Sequence, residues 1–118
     1  MKTFLAIYLG SPDSRNRREW DQLDDAMRQK RTEAGMKAWG DWMVKHHAAV
    51  VVEGGPLGKT KRTTAAGVSD TKNNMTGYIV VRAETQEAAA RMFENHPHFA
   101  VFPGDSVEVM EVLPIPGR

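Results

Sequence analysis

Hydrophobic residues in this chain follow two different periods, and the switches between them outline the elements. Phe4 to Leu9 is an unbroken apolar run stopped by Gly10-Ser11-Pro12-Asp13. In an extended chain Phe4, Ala6 and Tyr8 share one side and Leu5, Ile7 and Leu9 the other, so both faces are greasy. From about Arg17 the period becomes helical. Trp20, Leu23 and Met27 form one stripe, and after an interruption at Gly35 a second stripe runs through Met36, Trp39, Gly40, Met43, His47 and Val50. Val50 to Glu53 reads as a short strand ending at Gly54-Gly55-Pro56. Thr60 to Ala66 is a possible hairpin arm, and Ser69 to Asn74 is loop-like. Met75 to Ala83 is again apolar on both sides. Thr85 caps a helix whose stripe is Ala89, Met92 and Phe93, and His96-Pro97 ends it. Ser106 to Leu113 makes the last strand.

The order strand, helix, strand, hairpin arm, strand, helix, strand predicts an α+β fold. It is a ferredoxin-like antiparallel sheet with two helical regions on one face, in a single domain spanning residues 1–118. Three strands are apolar on both sides, yet only two helical regions exist to cover them. The uncovered face predicts a second copy as its lid, a homodimer built face to face.

Composition narrows the function classes. Hydrophobic residues make up 41% and charged residues 26%, with a formal charge of +1, so no strong field steers nucleic acid or an anionic membrane. The aromatic pattern of RNA-binding sheets is missing, Tyr78 being its one candidate. With no cysteine, disulfides and thiolate metal sites are excluded. No run reaches the roughly 18 apolar residues of a membrane span, and the opening run is too short for a signal segment. The expectation is a cytoplasmic protein.

Candidate chemistry gathers at the histidines, the side chains that titrate nearest neutrality. His46 and His47 sit on a helix, where packing or solvation is the commoner role. In His96-Pro97-His98-Phe99 the proline stiffens the corner that carries His98 and Phe99. An imidazole held rigidly beside an aromatic ring suits proton transfer, which makes His98 the candidate acid or base. The competing reading has His98 merely bonding loop backbone to seal the helix end. Glu53 and Asp105, each at a turn, are carboxylates able to orient an imidazole or a substrate. Trp39, Trp42, Tyr78 and Phe99 are the candidate pocket walls. The histidines lack the spacing of a zinc site, and Gly54 to Thr60 lacks that of a phosphate loop, since Pro56 removes a needed N–H. No cofactor and no metal are expected. Lys59, Lys61 and Arg62 form a small basic cluster, either a solvated edge or an anion attractor.

Several pieces, in order along nearly the whole chain, resemble the YCII-related (DGPF-like) family of small bacterial proteins. They are the opening strand, Met36 to Met43 (MKAWGDWM), Val52 to Gly58 (VEGGPLG), Gly67 to Asp70 (GVSD), Thr76-Gly77-Tyr78, His96 to Phe99 (HPHF) and Ser106 to Glu111 (SVEVME). The resemblance implies a dimeric α/β barrel of ferredoxin-like protomers. It also implies a pocket that in some relatives holds a His/Asp pair, with one branch linked to dechlorination of hydroxylated aromatics. Those relatives carry a histidine soon after the first strand, where this chain has Pro12 to Arg17, so that dyad does not transfer. The Pro97-His98 corner does match. Two functions follow as expectations. One is a pocket protein with His98 chemistry on a small aromatic or carbonyl compound; the other is a non-catalytic dimeric module for a ligand or partner.

Overall fold

A computed structural model describes residues 1–117. Four strands form one antiparallel sheet: β1 (Lys2–Leu9), β2 (Val50–Pro56), β5 (Met75–Ala83) and β6 (Ser106–Glu111), in the order β2-β5-β1-β6. Counted without the intervening hairpin, that is the ferredoxin-like arrangement, with the first and third strands central. The helical segments are α1 (Arg15–Asp21), α2 (Asp25–Lys45), α3 (Gln86–Arg91) and α4 (Pro97–Ala100), and a 3-10 turn at His47–Ala49 leads into β2.

Strand register sorts the two faces. Phe4 pairs with Val81, Ala6 with Ile79 and Tyr8 with Gly77, and all six are buried against the helices. Leu5 opposite Val80 and Ile7 opposite Tyr78 occupy the other face, where they are only half-buried. Met110 joins them from β6 and Val52 from β2, at 43% and 46% exposure. The core therefore lies on one side of the sheet, and an apolar face with Glu108 and Arg82 among it stays open.

Three local expectations are corrected. The helix break falls at Gln22 to Asp24, not at Gly35: α1 ends there, and the Asp24 carboxylate caps α2 by accepting from Met27 N–H at 2.8 Å. Gly35 is buried inside α2 because the Phe102 ring lies where a side chain would be. The Trp20, Leu23 and Met27 stripe buries nothing fully, and from Asp25 to Ala34 only Arg28 is even half-buried. Finally, the stretch expected as an arm and a loop is one hairpin, β3 (Thr60–Thr64) with β4 (Gly67–Thr71). Its residues are exposed except Thr60 and Thr71 at the stem. An isolated two-stranded ribbon in water is marginal.

These projections make the molecule thin and open. It measures 54 × 42 × 19 Å with a radius of gyration of 16.3 Å, against about 13.5 Å for a compact chain of this length. Its accessible surface is 8490 Å², while a compact monomer of its mass exposes roughly 6,400 Å².

The edge of the sheet beside β2 depends on Gly54. Its φ is +67°, and a Cβ there would overlap the Tyr78 carbonyl oxygen. Gly54→Ala is therefore expected to lower stability by about 2 kcal/mol or more, read as a lower urea midpoint at unchanged slope.

Candidate functional site

Where β2 bulges away from β5, the C-terminal half of α2 does not close on the sheet, and a cavity of about 640 Å³ opens. Met36, Trp39, Gly40 and Met43 wall it from α2. Glu53 to Pro56 and Thr76 to Ile79 wall it from the sheet edge, and Tyr8, His98 and Phe102 from the inner end. The α2 residues are the stripe read from the sequence, spaced to share one face. A second cleft of similar volume lies near Met1, Thr3 and Ala48. Its one polar long chain is Arg82, whose Nε already donates to the Ala48 carbonyl at 3.3 Å. The first cavity is the better candidate.

Its inner end is an aromatic knot. The Tyr8 ring centre lies 5.1 Å from Trp39, 5.2 Å from His98, 5.3 Å from His96 and 6.2 Å from Phe93. His96 is fully buried and caps the single turn of α4, its Nδ1 accepting from His98 N–H at 3.0 Å. An accepting Nδ1 puts the proton of the neutral ring on Nε2, which has no hydrogen-bond partner. The Trp39 ring stands perpendicular to that of His96, with centres 4.5 Å apart, so the surroundings of the imidazole are aromatic. Burial first, then the neighbouring His98 and His46, push His96 down to about 4 from the ordinary 6.5.

His98 is held from two sides. Its Nε2 lies 2.8 Å from the Leu9 carbonyl, which can only accept, so Nε2 carries the hydrogen. The same carbonyl takes Asp105 N–H at 2.9 Å. Against the ring lies Gly104, where any side chain would collide with the imidazole. Burial lowers the His98 pKa, partly offset by the Leu9 carbonyl and the Asp105 charge. Near neutral pH the imidazole is thus uncharged, with its N–H spent on the strand end.

Among the expected site residues, His98, Trp39, Tyr78 and Glu53 line the cavity. Trp42, Phe99 and Asp105 do not. Trp42 is core: it stacks on Phe93 at 5.1 Å and donates from Nε1 to the Met92 carbonyl at 2.7 Å. Phe99 is half-buried away from the cavity, because one residue along a helical turn rotates it off the side that carries His98. Phe102, a full turn beyond His98, occupies the wall instead, 6.1 Å from Trp39. Asp105 is exposed, its carboxylate accepting Ser11 N–H at 2.8 Å across the strand end. Tyr8 was not singled out, because strand alternation marks it only as core. The His46 ring lies tilted against Trp42 at 4.6 Å, its pKa lowered by burial and then by Lys45. Among the described residues no three His, Cys, Asp or Glu side chains gather as a metal site would need. Nor is any helix there long and apolar enough to cross a membrane.

No protein-family model matches the chain, and no curated protein does. Among solved structures, it is similar to the 5-chloro-2-hydroxyhydroquinone dehydrochlorinase of Burkholderia phenoliruptrix AC1100, in complex with 2,5-dihydroxybenzoquinone. The two share 18% identity with a TM-score of 0.53, over 92% of this chain and 90% of that one. At that identity the likeness is one of fold: this chain has the ferredoxin-like α+β fold.

Because His96 takes up a proton far more readily unfolded than folded, its contribution to stability is complete above pH 6.5. It drains away as pH falls towards 4. The expected loss across that window is about 3 kcal/mol, with His98 acting in the same direction. Urea midpoints measured from pH 4 to 7.5 check this. His96→Asn, which keeps a capping acceptor and cannot titrate, should flatten the slope.

Proposed function

We propose that this protein binds a small planar aromatic or carbonyl compound in the cavity between α2 and the β2 edge, as a YCII-like homodimer. The observation that carries the reading is the lining itself. Tyr8, Trp39 and Phe102 offer rings, Gly40, Gly55 and Gly77 leave room for a flat molecule, and few polar groups interrupt them. The similar dehydrochlorinase holds a planar dihydroxyquinone, which supports the same class of ligand. The ordered sequence pieces together with the shared fold support the family reading.

Binding without chemistry is favoured by the state of His98. Its N–H is committed to Leu9, and its ring is packed between Gly104 and Tyr8. Acid–base chemistry is favoured by the same bond in another respect. A tautomer fixed by a backbone carbonyl leaves Nδ1 as the basic nitrogen, which is what a general base requires.

Titration of the intrinsic tryptophan fluorescence with 2,5-dihydroxybenzoquinone checks the pocket. Saturable quenching is expected, weakened at least tenfold by Trp39→Ala; quenching that never saturates, or that ignores the substitution, rules the pocket out. His98→Gln retains a donor for Leu9. Loss of ligand turnover with binding intact would then assign catalysis, while unchanged behaviour in both leaves a binding module.

The homodimer rests on three observations: the half-exposed apolar sheet face, the unpacked hairpin, and roughly 2,000 Å² of surface beyond that of a compact monomer. Light scattering at micromolar concentration should give twice the 13.2 kDa chain mass. Ile7→Lys, on the open face, should give the monomer. A wild-type monomer sinks the assembly.

A further inference from the structure

We propose that the Tyr8 hydroxyl is the hydrogen-bond donor that selects the ligand, so that the bound molecule carries an acceptor oxygen at its inner end. The inference rests on the pocket reading above and goes further, to the polarity of the ligand along its length.

Few side chains on the cavity wall have a hydrogen-bond donor to offer. Thr76 is spent, its hydroxyl donating to the Tyr8 carbonyl at 3.1 Å. His98 has given its ring N–H to Leu9 at 2.8 Å. Tyr78 belongs to the open face of the sheet, where it is half-buried beside Ile7. Glu53 sits exposed on the edge strand, at the mouth. Tyr8 remains. Only 5% of it is exposed, and no hydrogen bond within the described residues uses its hydroxyl. Yet that oxygen is not among the buried polar atoms without a partner, a condition His96 Nε2 alone fulfils there. The hydroxyl therefore reaches open space, and the space that Tyr8 lines is this cavity.

The state of that hydroxyl decides what it can hold. Burial pushes the phenol well above its ordinary pKa, so near neutral pH it is a neutral donor. The rings packed around it belong to Trp39, Phe93, His96 and His98, and the last two are uncharged, so none of these neighbours brings a formal charge to the hydroxyl. A half-dry donor without an acceptor is costly, and a ligand oxygen relieves that cost where a methyl group cannot. At the other end Glu53, a carboxylate, accepts and does not donate. The two ends together fit a flat ring with a carbonyl or similar oxygen directed inward and a hydroxyl or amino group directed to the mouth.

The test uses two probes of one shape, 4-hydroxybenzaldehyde and 4-ethylphenol, followed by the shift of the Trp39 indole NMR signal. Wild-type protein is expected to bind the aldehyde at least tenfold more tightly. Tyr8→Phe keeps the ring packing and should remove that preference by weakening the aldehyde alone. Equal wild-type affinities overturn the Tyr8 assignment even if the variant fails to fold, which thermal melting and near-ultraviolet dichroism would reveal. So does a preference that survives in folded Tyr8→Phe. In both cases the pocket reading stands. If neither probe moves the Trp39 signal, the pocket reading fails, and this inference with it.

Discussion

The contact on which the rest of this structure turns is the seating of the His96-Pro97-His98 corner on the end of the first strand. His98 Nε2–H and Asp105 N–H both finish on the Leu9 carbonyl, so one backbone oxygen ties the helical corner to the sheet. That bond places the two imidazoles against Tyr8, and Tyr8 in turn receives Trp39 from the long helix. Fold and cavity thus share side chains. The rings that hold α2 and α4 on the sheet also form the inner wall of the pocket, so a substitution made to probe one perturbs the other. This is why changes that remove a single polar atom say more here than alanine truncations do.

Strand faces were legible in the sequence because alternation with period two is a local property. Phe4, Ala6 and Tyr8 are buried on one side while Leu5 and Ile7 remain half-open on the other, as their parity requires. Helical breaks were less legible. Gly35 reads as an interruption, but the reason for its presence is the Phe102 ring, 67 residues away in sequence and invisible to any local window. The hairpin was half-read: Thr60 onward carries strand-like threonines, whereas the polar Ser69 to Thr71 pairs only because Arg62 to Thr60 lies beside it. Polar ribbons have no hydrophobic period to betray them.

Legibility of the site followed the same divide. Trp39, Glu53, Tyr78 and His98 meet at one cavity although they come from four elements of the chain. Phe99 reads as a wall residue from its place beside His98, whereas Phe102 takes that position because α4 is only one turn long. Trp42 shares a helix with Trp39 but lies three residues on, rotated far enough to reach Phe93 and the core. Tyr8 hid in plain view. A tyrosine in an apolar strand satisfies the core pattern by its ring, and the pattern is silent about where its hydroxyl ends.

The electrostatic character of the pocket follows from these placements. Desolvation drives each inner titratable group to its neutral form near pH 7: His96 and His98 lose their protons and Tyr8 keeps its own. A neutral inner wall does not draw ions from water; what it offers is ring faces and single directed hydrogen bonds. It also resists acid poorly. The groups that keep the wall neutral are the ones an acidic medium protonates, and a charge on buried His96 finds no counter-ion among the four aromatic rings around it. Neutrality of the inner wall and acid lability of the corner are two consequences of one arrangement, imidazoles packed in a knot of aromatic carbon.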